Sequence, residues 1–420
     1  MSAVMKVGLY FRNDDVRVEE RPVPEAGPGE VVVRVAACGV CGSDTMQWYR
    51  EPETRRHGGI NTGHEIAGEI VQAGPLVKNI KVGDRVVVAH HFPCRSCALC
   101  REGNETACEA MRVKHIEPGG FAQYIRVLET GVQNGLLHLP DSMTYEQGSV
   151  VEPLGCVVRS VRKAAPVAGH TVLVVGSGLA GLLHIKLVRA LGAEKIFALD
   201  TNPNRLEAAR RAGADQAILV SNGAGELPRA DRVFVCTASQ KATEGALERI
   251  NRGGHLMYFA TDGPDQRVPL PLTKFWLMQP VIGFTYGAAP SDMQEAIELI
   301  RSGRVVVDEL ITHTFGIDQI AEAFDLAANP KGNSLKVLVA PNRGVAAEDD
   351  EEFPGRKVPA REPYQSPLAD STRTWAAKAA WKRLLGDAIQ KLTTLSSLVM
   401  LGAMMFSDCL ADLTFLGLDS

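Results

Sequence analysis

The sequence predicts an α/β protein of two domains, one rich in β-structure and one built on a doubly wound parallel sheet. Short apolar runs separated by Gly, Pro and Asp fill residues 5–150, and this pattern is typical of a small β-barrel. From about residue 151 to residue 290, strand patterns alternate with helix patterns, which is typical of a sheet covered by helices on both faces. The chain of 420 residues has room for two to three domains at about 150 residues each.

The strands and helices can be placed along the chain in order. The first domain is expected to contain strands at residues 31–37, 66–72, 85–90 and 121–127. In the second domain, helices that include 203–213 and 241–252 alternate with strands at 170–175, 195–200, 232–236 and 255–260. The chain then returns to the first domain with helices at 292–301 and 317–328 and a strand at 335–340. We therefore assign residues 1–155 and 291–343 to the first domain and residues 156–290 to the second.

Residues 344–420 differ in composition from both domains. An acidic run at 348–352 and four prolines before residue 368 indicate a solvated linker over 344–370. Apolar residues then recur at helical spacing from Trp375 to Leu392, so we expect a partly disordered, partly helical tail over 371–420. Two interpretations of this tail remain open. It docks on a protein or membrane surface, or it is a poorly ordered remnant of another gene.

Overall composition argues against several classes of protein. Lys and Arg number 45 against 49 Asp and Glu, so there is no basic excess for binding nucleic acid. The N-terminus lacks a signal-peptide pattern, and the longest apolar run near the C-terminus, residues 398–406, is shorter than the roughly 20 residues of a spanning helix. Nine unevenly spread cysteines suit reduced thiols and metal binding in the cytoplasm better than a secreted disulfide framework.

Four cysteines form the strongest local motif in the chain. Cys94, Cys97 and Cys100 are separated by two residues each, and Cys108 follows after seven more. Zinc prefers tetrahedral sites with thiolate ligands, and a loop with this spacing can close around one ion. Because four thiolates fill the coordination sphere, no position remains for water or substrate. The motif therefore predicts a structural zinc site.

A second set of residues has the ligand types of a catalytic zinc site. Cys41 lies in a Gly-rich segment over residues 39–44, His64 and Glu65 follow in the next Gly-rich segment, and Glu152 comes much later. Catalytic zinc is held by three protein ligands, so that the fourth position stays open for water or substrate. Each piece alone is a weak signal, but their occurrence together with the four-cysteine motif indicates a second metal site.

A Gly-rich loop that follows the strand at residues 170–175 has the spacing of a dinucleotide site. Gly176, Gly178 and Gly181 form a Gly-x-Gly-x-x-Gly pattern, in which the helix opens at Leu179 and Ala180. The first two glycines allow a tight turn and a close approach to the pyrophosphate, and the third allows the helix to pack on the strand. The pyrophosphate then binds at the helix N-terminus.

Asp200 indicates which dinucleotide is bound. It ends the next strand, nineteen residues beyond Gly181, where a carboxylate accepts hydrogen bonds from the adenosine ribose of NAD. A 2′-phosphate would meet a like charge there, so NAD is favoured over NADP. Arg205 lies five residues downstream and could accommodate a phosphate, but we interpret it as a solvated helix charge.

Taken together and in this order, the motifs resemble those of the zinc-containing medium-chain dehydrogenase/reductase family. The resemblance covers roughly residues 5–342 and also includes Val-Gly-Asp-Arg-Val at 82–86. It implies a GroES-like β-barrel catalytic domain and a Rossmann NAD-binding domain. It also implies an NAD-dependent oxidoreductase with one catalytic and one structural zinc ion, and we expect a homodimer or homotetramer.

The resemblance is more specific at Glu152-Pro153-Leu154, which is similar to the polyol and threonine dehydrogenase branch of the family. It implies Cys41, His64 and Glu152 as catalytic zinc ligands, with Glu65 as an alternate or exchanging ligand.

Three positions depart from the pattern of these relatives. Gln47 and Thr285 stand where polyol dehydrogenases carry a Tyr and an Arg that touch substrate, and Met46 lies near the place of a proton-relaying His in alcohol dehydrogenases. These departures argue against sorbitol itself as the substrate, but they leave the metal and cofactor machinery intact.

The resemblance implies reversible oxidation of a secondary alcohol, such as a polyol or sugar alcohol, with hydride transfer to NAD. We expect the Ser43 hydroxyl to pass the released proton toward solvent and Asp44 to orient His64. Alternatives are an L-threonine 3-dehydrogenase, a sugar-acid or cyclitol dehydrogenase, and a zinc- and NAD-binding sensor or scaffold without turnover. The complete ligand set argues against the last, because a protein without turnover needs no open metal site.

Overall fold

Residues 3–221 and 226–343 are described by the structure, a computed structural model. The linker predicted over 344–370 and the tail predicted over 371–420 lie outside these residues. Among the helices of the described residues, none is both long and apolar enough to cross a membrane.

The described chain passes from a β-rich part to an alternating α/β part and back, as the sequence predicts. Residues 3–163 hold strands β1 (Val4–Arg12), β2 (Asp15–Pro22), β3 (Val31–Val40), β4 (Glu65–Ala73), β5 (Arg85–Val88), β6 (Ile116–Glu117), β7 (Tyr124–Val127) and β8 (Leu136–His138). The same residues hold helices α1 (Gly42–Thr45), α2 (Gln47–His57), α3 (Ala98–Arg101), α4 (Glu129–Asn134), α5 (Tyr145–Ser149) and α6 (Val151–Lys163).

The remaining elements form the α/β part and the return to the first domain. Strands of the α/β part are β9 (Thr171–Val175), β10 (Lys195–Asp200), β11 (Gln216–Leu219), β12 (Ala230–Val235), β13 (Ile250–Tyr258) and β14 (Val281–Phe284). Its helices are α7 (Leu179–Ala190), α8 (Pro203–Ala212), α9 (Gln240–Ala246) and α10 (Leu272–Met278). The return consists of α11 (Pro290–Arg301), β15 (Ile311–Gly316), α12 (Ile320–Ala328) and β16 (Lys336–Ala340).

The sheet of the first domain brings three strand ends to one corner. Its strands follow the order β15-β16-β3-β4-β5-β8, with β7 also paired to β3. β3 pairs antiparallel with β4 and with β16, so that Gly39 lies opposite Glu65 and Val40 opposite Val337. Because antiparallel neighbours run in opposite directions, the end of β3 lies beside the starts of β4 and β16.

The second domain is a parallel sheet with the order β11-β10-β9-β12-β13-β14. β9 has four buried residues in succession, because helices cover both faces of the sheet. The chain order reverses between β9 and β12, and ligands of doubly wound sheets bind outside the carboxyl ends of the strands at such a point. The Gly-rich loop follows β9 and therefore lies at this position.

Helix α6 connects the two domains. Nine of its residues are buried, and its apolar face joins one core cluster with residues of α7 and α11. The boundary predicted between residues 155 and 156 falls inside this continuous helix, and the domain limits stay a prediction. Glu152 and Cys156 consequently lie one turn apart on α6.

One predicted helix is shorter than expected. The pattern predicted a helix over 241–252, but α9 ends at Ala246 and β13 begins at Ile250. β13 pairs with both β12 and β14, and its register with β12 shifts between Ala230 and Arg232. Gly253, with a φ of +64°, lies opposite this irregularity in a left-handed conformation that glycine adopts readily. The prediction was wrong because Ile250 pairs with Ala230 of β12, and this pairing outweighs local helix propensity.

A buried arginine on α6 ties the four-cysteine loop to the core. Arg159 is 3% exposed, and its Nε donates to Asp292 Oδ2 at 2.7 Å. Its Nη2 donates to Glu105 Oε2 at 2.9 Å, and its Nη1 donates to the Gly103 carbonyl at 3.2 Å. Gly103 and Glu105 lie between the third and fourth cysteines of the motif, so the loop, α6 and α11 are held by one guanidinium.

Replacement of Arg159 by Met is expected to lower the free energy of unfolding by about 3 kcal/mol, because it leaves the fully buried Asp292 less compensated. Arg162→Met is the matched control, since Arg162 also pairs with Asp292 but its side chain is half exposed, and it should cost less than about 1 kcal/mol. Urea denaturation followed by circular dichroism measures both. Equal losses in the two variants would contradict the assigned role of Arg159.

Candidate active site

Three residues with metal-binding side chains meet where β3 ends and β4 begins. Cys41 follows β3 directly, His64 precedes β4 directly, and Glu65 opens β4. Their ligand atoms all lie within 4.8 Å of one another. We call these three residues the Cys-His-Glu group. Gly39 makes room for it, because a Cβ at this position would lie 1.7 Å from Glu65 Oε2.

A buried carboxylate orients the histidine of the group. Asp44 is fully buried, and its Oδ1 lies 3.6 Å from His64 Nδ1. Arg50 Nη2 donates to the same oxygen at 2.9 Å, and the Cys41 amide donates to Asp44 Oδ2 at 3.0 Å. Burial alone would raise the pKa of Asp44, but His64 and Arg50 more than offset this and hold it well below its usual range. An ionised carboxylate at Nδ1 leaves Nε2 for a metal ion.

A buried ion pair occupies the other side of the group. Lys336 opens β16, and its Nζ contacts Glu65 Oε2, with both side chains 1% exposed. The same Nζ donates to the Val40 carbonyl at 3.1 Å. Burial alone would lower the pKa of Lys336, but Glu65 and Cys41 more than offset this and raise it. Lys336 therefore carries its charge in the core.

Glu152 lies close to this group on α6, but outside the set of three. It is 6% exposed, and its Oε1 accepts a hydrogen bond from Cys156 Sγ at 3.4 Å. Burial raises the pKa of Glu152, with His64 acting against this and Glu65 adding to it. The structure thus brings Cys41, His64 and Glu65 together, and Glu152 is near enough for its charge to interact with those of His64 and Glu65.

Ser43 lies in α1, between Cys41 and Asp44 along the chain. Its backbone carbonyl accepts a hydrogen bond from Arg50 Nε at 2.8 Å. This bond fixes the segment that joins Cys41 to Asp44. The proton-transfer role of the Ser43 hydroxyl stays a prediction.

The four cysteines of the predicted structural site also converge. Their ligand atoms lie within 4.8 Å of one another, and all four are free thiols. The Sγ–Sγ separations are 3.4 Å for Cys97 and Cys100, 3.8 Å for Cys97 and Cys108, and 4.0 Å for Cys94 and Cys100. Zinc–sulfur bonds of about 2.3 Å in a tetrahedron place sulfurs about 3.8 Å apart. The arrangement fits one zinc ion.

The Gly-rich loop has the geometry that a pyrophosphate requires. Gly176 has a φ of +95°, and Gly178 is the N-cap of α7. A Cβ at Gly181 would lie 1.9 Å from the Gly176 carbonyl oxygen, so only glycine allows α7 to approach the loop. Leu179 and Ala180 form the first turn of α7, where free amide groups can bind an anion.

Asp200 is held at the edge of this loop. Its Oδ2 accepts a hydrogen bond from the Ser177 amide at 2.7 Å, and its Oδ1 accepts one from the Asn202 amide at 2.8 Å. The carboxylate at the end of β10 is therefore fixed beside the glycines. Arg205 lies in the first turn of α8 and lines a small cleft with Arg211 and Ser334.

Comparison with known proteins identifies the family. The model of the alcohol dehydrogenase GroES-like domain matches residues 27–141, and that of the zinc-binding dehydrogenase matches residues 180–302. Sorbitol dehydrogenase of Bacillus subtilis is 30% identical over 358 residues, which cover 81% of this chain and 98% of that protein. This chain belongs to the zinc-containing medium-chain dehydrogenase family.

Other relatives fall in the same family. L-threonine 3-dehydrogenase of Legionella pneumophila (strain Corby) is 30% identical to this dehydrogenase, over 77% of this chain and 95% of that protein. The crystal structure of 2R,3R-butanediol dehydrogenase from Bacillus subtilis superposes with a TM-score of 0.69 at 27% identity, covering 80% of this chain and all of that one. The predicted GroES-like and Rossmann domains are confirmed.

The dehydrogenase is an oxidoreductase that uses zinc and a nicotinamide dinucleotide. Its residues fit both groups. The sulfur separations suit a tetrahedral zinc ion, and the Cys-His-Glu group offers three zinc ligand types at one point. For the dinucleotide, the N-cap residue Gly178 borders open space, since a Cβ there would meet no protein atom within 4 Å.

Several residues of the dehydrogenase site were not found from the sequence. Lys336 is the clearest, and the signal available was a lysine at the start of an otherwise apolar strand. His90 is another, since its ring centroid lies 4.8 Å from that of His64. Arg50 is the third. It lies six residues after Asp44 in the sequence, and this spacing did not indicate that the two side chains form an ion pair.

We predict two zinc ions per chain, one for each group, measurable by elemental analysis of freshly purified dehydrogenase. A chelator should remove the ion at the Cys-His-Glu group first, because that site keeps an open position whereas four thiolates enclose the other. Activity should be lost while the circular dichroism spectrum persists. One zinc ion per chain together with full activity would contradict the two-site interpretation.

Proposed function

We propose that this dehydrogenase reversibly oxidises a secondary alcohol of the polyol or sugar-alcohol class to the carbonyl compound, with NAD as hydride acceptor. The observation that carries the proposal is the Cys-His-Glu group, whose ligand atoms lie within 4.8 Å of one another. A site with three protein ligands keeps a coordination position for the substrate.

Each residue near this site has a proposed role. When bound, zinc supplies a Lewis acid that favours ionisation of the substrate hydroxyl, and the nicotinamide accepts the hydride. Cys41 and His64 hold the ion, and Glu65 and Glu152 are the two carboxylates that can complete the ligand set. Asp44 fixes the orientation of His64. The Ser43 hydroxyl takes the released proton and passes it toward solvent.

The cofactor site is proposed to favour NAD. Gly176, Gly178, Leu179, Ala180 and Gly181 bind the pyrophosphate. The Asp200 carboxylate, held by two backbone amides, accepts hydrogen bonds from the adenosine ribose and repels a 2′-phosphate. We interpret Arg205 as a helix charge outside this contact.

Neutral groups near the expected substrate positions support a polyhydroxy substrate. By resemblance, Gln47 and Thr285 occupy positions that touch substrate, and neither is charged. The Tyr49 and Tyr286 hydroxyls, two residues beyond Gln47 and one beyond Thr285, lie 2.7 Å apart. Such groups suit hydroxyls better than the carboxylate of an amino acid, which is usually bound by a cation.

The second candidate is an L-threonine 3-dehydrogenase. It is favoured by relatives of that name that are as similar to this chain, at 30% identity, as the sorbitol dehydrogenases are. A sugar-acid or cyclitol dehydrogenase fits the same metal site. A sensor or scaffold without turnover is less well supported, because it would not need three converging metal ligands.

We also propose a homodimer or homotetramer located in the cytoplasm. The eight described cysteines are all free thiols, which suits a reducing compartment.

A panel of substrates tests the proposed activity. NADH formation would be measured with polyols, simple secondary alcohols, sugar acids, cyclitols and L-threonine, and we expect the highest kcat/KM with a polyol. Cys41→Ser should lower kcat/KM at least about 100-fold while NADH binding and the zinc of the four-cysteine loop persist. A higher kcat/KM with L-threonine would select the second candidate, and NADH binding without any turnover would favour the sensor.

Asp200→Ser tests the cofactor assignment. Wild-type enzyme should prefer NAD strongly, and the variant should narrow the ratio of kcat/KM for NAD over NADP by about tenfold or more, because the repulsion of the 2′-phosphate is removed. Asp262→Ser, at an exposed position of the same domain, is the control and should leave the ratio unchanged. Equal use of both cofactors by wild-type enzyme would show the Asp200 assignment to be wrong.

A further inference from the structure

A buried histidine on α7 has no role in the proposed reaction and lies beside the glycine loop. His184 is fully inaccessible to water. Its ring Nδ1 lies 2.8 Å from the Ala180 carbonyl oxygen and 3.5 Å from Cys236 Sγ, and its Nε2 lies 3.0 Å from Ser160 Oγ. Ala180 belongs to the first turn of α7, Cys236 follows β12, and Ser160 lies on α6. One imidazole ring therefore contacts three separate elements.

The partners of the ring determine its protonation state. A carbonyl oxygen only accepts hydrogen bonds, so Nδ1 carries the proton and donates to Ala180, while Nε2 accepts from the Ser160 hydroxyl. Burial lowers the pKa of His184 to about 4, and the Ala180 carbonyl offsets only part of this effect. The imidazole is consequently neutral at pH 7, with one donor and one acceptor in fixed positions.

Two aromatic rings flank His184. The ring centroids of Phe234 and Phe259 lie 4.8 Å and 4.9 Å from that of His184. A leucine or phenylalanine side chain would pack against them without the cost of burying a polar ring. Packing alone therefore does not explain a histidine at this position, and its hydrogen bonds call for an explanation.

The two hydrogen-bond partners of His184 belong to different parts of the active site. Ala180 lies in the first turn of α7, where free amide groups bind the pyrophosphate. Ser160 lies on α6, eight residues after Glu152. The contacts of His184 with Ala180 and Ser160 therefore form a direct link between the dinucleotide loop and the helix that carries Glu152.

We propose that His184 is a positioning residue for the dinucleotide, because its ring holds the first turn of α7 at a fixed distance from α6. The inference rests on the dinucleotide site and not on which alcohol is oxidised. The hydrogen bond to Ala180 keeps the turn that binds the pyrophosphate in place. The hydrogen bond to Ser160 sets the position of that turn relative to Glu152. Because hydride transfer depends steeply on the alignment of the reacting atoms, the first bond supports binding and the second supports turnover.

Two replacements of His184 separate these effects. The shorter amide of His184→Asn can still donate to Ala180 but does not reach Ser160. We expect this variant to bind NADH within about twofold of wild type and to lose about fivefold in kcat. The longer amide of His184→Gln can accept from Ser160 but no longer donates to Ala180. We expect its Kd for NADH to rise about fivefold, with a smaller change in kcat at saturating NAD.

Ser160→Ala removes the second hydrogen bond without changing His184, and it serves if a His184 variant does not fold. It should lower kcat about fivefold with the Kd for NADH unchanged. The double variant Ser160→Ala/His184→Asn should lose no more in kcat than either single variant, because both remove the same bond. Thr243→Val is the control, since it removes a buried hydroxyl group of the same domain that bonds the Gln240 carbonyl. It should change neither quantity.

Fluorescence titration of the zinc-loaded enzyme with NADH gives Kd without turnover, and steady-state oxidation of the best alcohol of the panel gives kcat. Urea denaturation of each variant separates these effects from a loss of stability. A histidine that only fills the core would leave Kd and kcat of the folded variants unchanged, and this result would overturn the proposal. Equal effects of His184→Asn and His184→Gln on Kd would also overturn it, as would an unchanged kcat in Ser160→Ala.

Failure of the proposed function gives a different result. If wild-type enzyme oxidises no alcohol of the panel, the proposed function fails, whereas a Kd for NADH that rises in His184→Gln and not in His184→Asn still supports the role of His184. If wild-type enzyme binds NADPH more tightly than NADH, the NAD assignment fails, and the same comparison of Kd with NADPH decides the role of His184.

Discussion

The antiparallel pairing of β3 with β4 and β16 is the constraint on which the metal site depends. It brings Cys41, the start of β4 and the start of β16 to one corner, although β16 lies nearly three hundred residues from β3 along the chain. A shift of one residue in the register would turn each side chain to the opposite face. Gly39 is therefore part of the site, because a side chain there would occupy the position of the Glu65 carboxylate.

Charge compensation explains which polar residues surround this corner. Asp44, Glu65 and Glu152 are nearly inaccessible to water, and unpaired buried carboxylates would be costly. Arg50 and Lys336 compensate two of them. Glu152 instead accepts a hydrogen bond from Cys156, and its pKa is raised by burial.

The sequence alone was sufficient to predict those motifs and strands whose residues recur at a characteristic spacing along the chain. The four-cysteine motif, the glycine loop and most strands could be placed, because their partners lie close in sequence or repeat with a fixed period. Lys336 could not be found in this way, since its pairing with Glu65 depends on the register between β16 and β3. The end of α9 was missed for a similar reason, because the start of β13 is fixed by its pairing with β12 rather than by local propensity.

Helix α6 connects Glu152, the four-cysteine loop and the α/β domain. Glu152, Cys156 and Arg159 follow at spacings of four and three residues, which places them along one side of the helix. Arg159 binds the four-cysteine loop and α11, while the adjacent Ser160 hydroxyl lies 3.0 Å from Nε2 of His184 on α7. The four-cysteine loop therefore holds the helix that carries Glu152. Because α7 begins at the glycine loop, its contact with α6 fixes the position of Glu152 relative to that loop.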